Sequence, residues 1–166
     1  MIQRIICSII FSVIFFKLSA QSFEPRGTRR GVISLGVRNN ASLFNDGAWN
    51  NQGVGTGGQF RVQLGDQVNT DWFLDYITGT VGGYANREDL HIGWSVLLYP
   101  FKYEMKPKFI QPYVLAGHCF DFTRIKENNN PNNFAERWSS AIQAGLGAHF
   151  NLTDRFDISL TGQYMI

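Results

Sequence analysis

Three histidines, His91, His118 and His149, are the side chains of this sequence best suited to proton transfer or metal binding near neutral pH. No two of them stand at the i, i+2 or i, i+4 spacing that puts a metal pair on one face. No carboxylate cluster completes a ligand set. Hydrolysis by a hydroxyl nucleophile needs a serine, a histidine and an acid converging in space. Ser95, Ser139, Ser140 and Ser159 are candidate serines, but their spacing to the histidines fixes no such geometry. The run Gly53-Val54-Gly55-Thr56-Gly57-Gly58 shares only its glycines with a phosphate loop. It lacks the following Lys and Ser/Thr and any helix behind them, so it reads as the glycine-rich start of a strand. Cys7 falls in the N-terminal apolar run, which leaves Cys119 without an intramolecular disulfide partner. These residues predict no catalysis, no cofactor and no metal.

The elements that hold these side chains begin after an export signal. Arg4 supplies a positive start, Ile5 to Phe16 an apolar run of twelve residues, and Leu18-Ser19-Ala20 a small residue before Gln21. A bilayer-crossing helix needs roughly 20 apolar residues. Residues 1–20 are therefore expected to be a signal peptide cleaved after Ala20, the alternative being a buried N-terminal helix. Removing them takes away Arg4 and Lys17, so 15 − 2 = 13 basic residues face 13 acidic ones. No basic excess remains to attract nucleic acid. Residues 21–30 form a short N-terminal segment, and residues 31–166 the folded domain.

Charged residues make up 17% of the chain and aromatics 14%, with 17 glycines, a composition that suits an all-β protein. Seven segments read as strands, and six of them alternate clearly with period two. Ile33, Leu35 and Val37 oppose Ser34, Gly36 and Arg38. Phe60, Val62 and Leu64 oppose Gln59, Arg61 and Gln63. Trp72, Leu74 and Tyr76 oppose Asp71, Phe73 and Asp75. Leu90, Ile92, Trp94, Val96 and Leu98 oppose Asp89, His91, Gly93 and Ser95. Ile142, Ala144, Leu146 and Phe150 oppose Ser139, Gln143, Gly145 and His149. Ile158, Leu160 and Tyr164 oppose Asp157, Ser159 and Gln163. The fifth segment, Ile110 to Arg124, is apolar on both faces, and a bulge near Gly117 would explain it.

A soluble sandwich also alternates, so the links carry more weight. Asn39–Gly58, Gly79–Arg87 and Lys126–Arg137 read as long links, whereas Gly65–Asn69 and Asn151–Arg155 read as short ones; Pro100–Lys108 is the exception. Outer-membrane barrels have long outer loops and short periplasmic turns. The asparagine-rich stretch 128–133 reads as a solvated loop, with Asp121–Arg137 a candidate Ca²⁺-binding or adhesive one. Trp72, Tyr99, Phe101, Tyr103, Phe109, Tyr113, Phe150 and Phe156 lie near one set of segment ends and Trp138 near the other, as aromatic girdles would. The expected fold is an all-β, antiparallel, up-and-down transmembrane β-barrel. Its polar face would form a lumen network of Arg38, Arg61, Asp75, Asp89, His91, His149 and Asp157, which fills a narrow interior and leaves no open pore.

Seven strands are visible, and single-chain bacterial barrels have an even number. Eight are expected, so the sequence reads as a fragment lacking its last strand. A short strand at Ala41–Phe44 is the weaker way to restore parity.

Four stretches carry a family resemblance: GVGTGGQFRVQLGDQVNTDWFLDY (53–76), HIGWSVLLYP (91–100), PYVLAGHCFD (112–121) and SSAIQAGLGAHFNLTDRFDISLTGQY (139–164). They resemble outer-membrane β-barrel domain proteins of the outer-membrane-protein-A or porin-like type, common in Bacteroidetes. The resemblance implies a cell outer membrane location, with membrane lipid as the surroundings. It also implies handling by periplasmic chaperones and the barrel-assembly machinery, and a structural, adhesive or limited-diffusion role. Two other readings stay open: a soluble secreted lipocalin-like barrel with an apolar interior, and an outer-membrane lipid-modifying enzyme that would use His118 or another histidine with a serine.

Overall fold

The computed structural model describes residues 30–42, 53–101, 108–130 and 132–166. The expected signal peptide, most of the N-terminal segment and Tyr103 lie outside them. The described chain forms seven strands: β1 (Ile33–Ser42), β2 (Gly53–Gln63), β3 (Val68–Val81), β4 (Ala85–Leu98), β5 (Ile110–Glu127), β6 (Phe134–Asn151) and β7 (Asp157–Met165). They make one sheet in sequence order, each strand antiparallel to the next. The β2–β3, β4–β5 and β6–β7 links lie at one end of the sheet, here the lower end. The other links lie at the upper end.

Strand formation follows from the alternation, since residues two apart share a face of a pleated strand. Outside β5, the register keeps the apolar series on one side. Leu35, Phe60, Trp72, Trp94, His118 and Ile142 stand directly opposite one another in successive pairs, all on the outer face. Phe60 and Trp72 stack at 6.0 Å, and Trp72 meets Trp94 at 6.4 Å.

The sheet curls so that its polar faces meet. Counting straight across from Arg61 leads through Asp71, Ser95, Gly117 and Gln143 to Met165. Yet Arg61 bonds to Asp157, which lies 165 − 157 = 8 residues lower on β7. Such a stagger arises when tilted strands coil round an axis, the geometry of a barrel wall.

Several expectations need correction. The fifth segment contains no bulge: β5 pairs continuously with β4 and β6 through Gly117. Its inner face is apolar because Tyr113 and Leu115 pack with Leu97 and Tyr99 in a small core near the lower end. Tyr99 and Tyr113 therefore belong to the interior and not to a girdle. Gly147 makes room for this core, since a Cβ there would strike the Tyr113 ring.

Two links expected to be long are shortened because the strands run on into them. β3 and β4 join through Gly82-Gly83-Tyr84, where Gly82 and Gly83 have φ of 56° and 75° and Tyr84 N donates to Val81 O at 3.2 Å. Positive φ at both central residues is what a tight hairpin turn of the primed type requires. Asp121 to Glu127 lies within β5, so it is not a loop. The asparagine turn is tied down: Asn128 N donates to Tyr84 O, and Asn133 Nδ2 to Glu127 Oε2. Ala41 and Ser42 are the end of β1, and residues 43 and 44 lie outside the described set.

Candidate functional site

All seven residues expected on the polar face point inward, because they share strand parity with the buried side chains. They do not form one network. Arg61, His149 and Asp157 come together near the lower end. Arg38 and Asp75 form a separate pair, and Asp89 and His91 each take another partner.

The lower cluster is a directed hydrogen-bond chain. Asn69 Nδ2 donates to Tyr99 Oη at 2.8 Å, and Tyr99 Oη lies 2.9 Å from His149 Nε2. His149 Nδ1 lies 2.5 Å from Ser159 Oγ, which donates to Asp157 Oδ1 at 3.1 Å. Arg61 reaches across from β2, donating to Asp157 Oδ2 at 3.3 Å and to Ser159 Oγ at 3.4 Å. One proton assignment satisfies every contact: Tyr99 donates to Nε2, neutral His149 donates from Nδ1 to Ser159, and Ser159 donates to Asp157. The Tyr113 ring stacks on His149 at 4.4 Å, and its hydroxyl lies 2.6 Å from Thr161 Oγ1. Arg61 Nε also lies 3.9 Å from Asp71, so one guanidinium faces carboxylates on two strands.

This cluster unites a serine, a histidine and an aspartate, but in an order unsuited to nucleophilic catalysis. A catalytic histidine takes the serine proton on one ring nitrogen while an acid holds the other. Here Ser159 and Asp157 crowd the same nitrogen, at 2.5 and 3.7 Å, and a neutral phenol faces the other. Arg61 already engages the aspartate. The arrangement holds side chains in place across the interior.

The upper half holds separate pairs. Arg38 Nε lies 3.4 Å from Asp75 Oδ2, with its guanidinium 4.4 Å above the Phe73 ring. Asp89 Oδ1 accepts from Arg87 Nε at 2.8 Å and from Thr123 Oγ1 at 2.6 Å. His91 Nδ1 lies 3.7 Å from Asp121 Oδ1. Between the halves, Gln143 Nε2 donates to Ser95 Oγ at 2.7 Å, crossing above Gly117. His118 points outward, its ring edge-on to Phe120 at 4.8 Å. Among the described residues no three His, Cys, Asp or Glu side chains are grouped to hold a metal ion.

Asp71, Arg87, Asp121, Ser159, Tyr99 and Asn69 belong to these groups and were absent from the expected network. Strand parity marks all but Tyr99 and Asn69 as inward. Those two lie just past the segments whose alternation was clear.

A scan against protein-family models gives no match, and searches of curated proteins and of solved structures give none either. The outer-membrane resemblance of the four stretches therefore rests on their own residues.

Proposed function

We propose that this chain is a small β-barrel of the bacterial outer membrane whose lumen is filled by its own side chains. It serves a structural, adhesive or limited-diffusion role and no catalysis. The carrying observation is the inversion of polarity between the two faces. Val37, Leu160 and Ile142 are 87%, 71% and 69% exposed, while Asp75 and His149 are each 3% exposed. A water-soluble ligand-binding barrel needs the opposite arrangement, with its charges outside.

The apolar surface also has the right height and edges. On β6 the outward series from Trp138 to Phe150 spans 150 − 138 = 12 residue steps. At about 3.3 Å per step and a tilt near 45° it rises about 28 Å, close to the roughly 25 Å apolar band of such barrels. Just above Leu90, Phe122 and Trp138 the outer face turns to Glu88, Arg124 and Glu136, directly opposite one another in successive pairs. Arg124 and Glu136 approach to 3.0 Å, and Lys126 and Glu88 to 3.5 Å. Near the lower edge Phe109 meets Phe150 edge-on at 6.3 Å, an aromatic pair suited to a lipid interface.

On this reading the surrounding partner is outer-membrane lipid, reached through periplasmic chaperones and the barrel-assembly machinery. Ion pairs from Arg61 to Asp157 and from Arg38 to Asp75 fill the lumen, so ions have no wide path. The test is flotation with phospholipid vesicles followed by planar-bilayer recording. Co-flotation without sustained large conductance is expected. A protein that stays in the aqueous phase, or one that conducts as a wide pore, contradicts the proposal.

A further inference from the structure

We propose that Cys119 and Met165 bind one soft monovalent metal ion, Cu(I) or its redox-inert analogue Ag(I), on the inner face of the sheet between β5 and β7. The inference goes beyond the barrel reading and stands whether or not the outer face meets lipid. Cys119 Sγ lies 3.5 Å from Met165 Sδ, although the two residues are 46 positions apart. The thiol also donates to Asp121 Oδ1 at 3.2 Å, and the same carboxylate oxygen lies 3.7 Å from His91 Nδ1. Cys119 is 0% exposed. Its cross-strand neighbours are small: Gly93 on β4 and Ala141 on β6 stand directly opposite it. A Cβ at Gly93 would come within 2.7 Å of Cys119 Cβ. That clearance lets the long Met165 side chain reach across β6 to the thiol.

The donor types choose the ion. No three His, Cys, Asp or Glu side chains gather among the described residues, so a site for a hard divalent ion is not formed. Here the second donor is a thioether, and thiolate with thioether is the soft ligand set that selects Cu(I). Metal–thiolate bonds are about 2.3 Å long, so sulfurs 3.5 Å apart can share one ion with a bent angle between them. Gln143 adds an independent sign of a ligand. It is 0% exposed and stands directly beside Met165 in the register, and its Oε1 has no hydrogen-bond partner. A buried acceptor left over beside two sulfurs is available to an ion, or to a water on it. Charge fixes the valence. On binding, the Cys119 Sγ–H bond breaks, the sulfur electron pair goes to the ion, and the proton passes to Asp121 Oδ1, which already accepts it. No oxidation state changes. A monovalent ion then leaves both the metal–thiolate unit and Asp121 neutral, whereas a divalent ion would leave a buried charge without a partner.

The experiment uses the full chain with Cys7→Ser, refolded in detergent without oxygen, and titrates Cu(I) against the chelator bicinchoninate. One equivalent of bound Cu(I) is expected. Cys119→Ser should abolish binding, and Met165→Leu should weaken it about tenfold or more. Excess Zn(II) should not compete. A second measurement needs no substitution in the site: with methyl-labelled methionine, Ag(I) should move the Met165 methyl resonance and leave that of Met105 in place. Full affinity in Met165→Leu overturns the proposal and leaves only a thiol that scavenges copper. Unchanged binding in Cys119→Ser, or a Met165 methyl signal that Ag(I) does not move, overturns it as well.

Discussion

The lower and upper halves of the interior use the same residue types to different effect. Below, Asn69, Tyr99, His149, Ser159, Asp157 and Arg61 form one chain that crosses from β3, through Tyr99 just past the end of β4, to β6, β7 and β2. Above, Arg38–Asp75, Arg87–Asp89 and His91–Asp121 are local pairs, each between the same or nearby strands. The difference comes from what lies beside the charges. The tyrosines of the lower core exclude water and are long enough to reach across, and Gly147 gives Tyr113 the space to do so. Linked polar groups in such surroundings stand or fall together, whereas isolated pairs fail singly.

The largest expected effect comes from breaking the lower chain at its one cation. Arg61→Ala leaves Asp157 without its ion pair and Asp71 without its nearest guanidinium, and should cost about 3–5 kcal/mol in urea unfolding from detergent micelles. Arg38→Ala in the upper half removes one local pair above Asp75 and should cost less, about 2 kcal/mol by the same measurement. Equal losses would show that the two halves do not differ.

Gly147→Ala sharpens the comparison by pushing on the Tyr113 ring, with an expected loss of about 1–2 kcal/mol. Its control is Gly162→Ala on the outer face of β7, where an added Cβ meets nothing, and the change should stay within about 0.5 kcal/mol. The smallest effect belongs outside the interior. Arg124→Ala breaks a partly exposed pair with Glu136 and should cost under about 1 kcal/mol, with that cost shrinking further in high salt.

Strand parity made the two faces legible. Side chains such as Asp75 and Leu146 could be assigned to opposite sides because a one-residue slip would exchange every face at once. What parity does not carry is the partner across the interior. Arg61 and Asp157 stand 96 positions apart, and their meeting depends on the stagger of coiled strands, a property of the whole sheet. Apolar inner residues defeated the simple alternation rule in β5, where Tyr113 and Leu115 imitate a bulge. Strand ends were misjudged for a related reason. Residues such as Lys126 and Glu136 look like loop composition, but on strands that rise above the apolar belt polar side chains are in their proper place.

The central claim is that the apolar outer face meets lipid. Ile142 lies near the middle of the β6 belt and is 69% exposed, so Ile142→Lys in phospholipid vesicles is its most direct test. Buried in a bilayer, the lysine should lower folding stability by about 2–4 kcal/mol. If the face meets water instead, the same substitution should change stability by no more than about 0.5 kcal/mol, and that result would contradict the account.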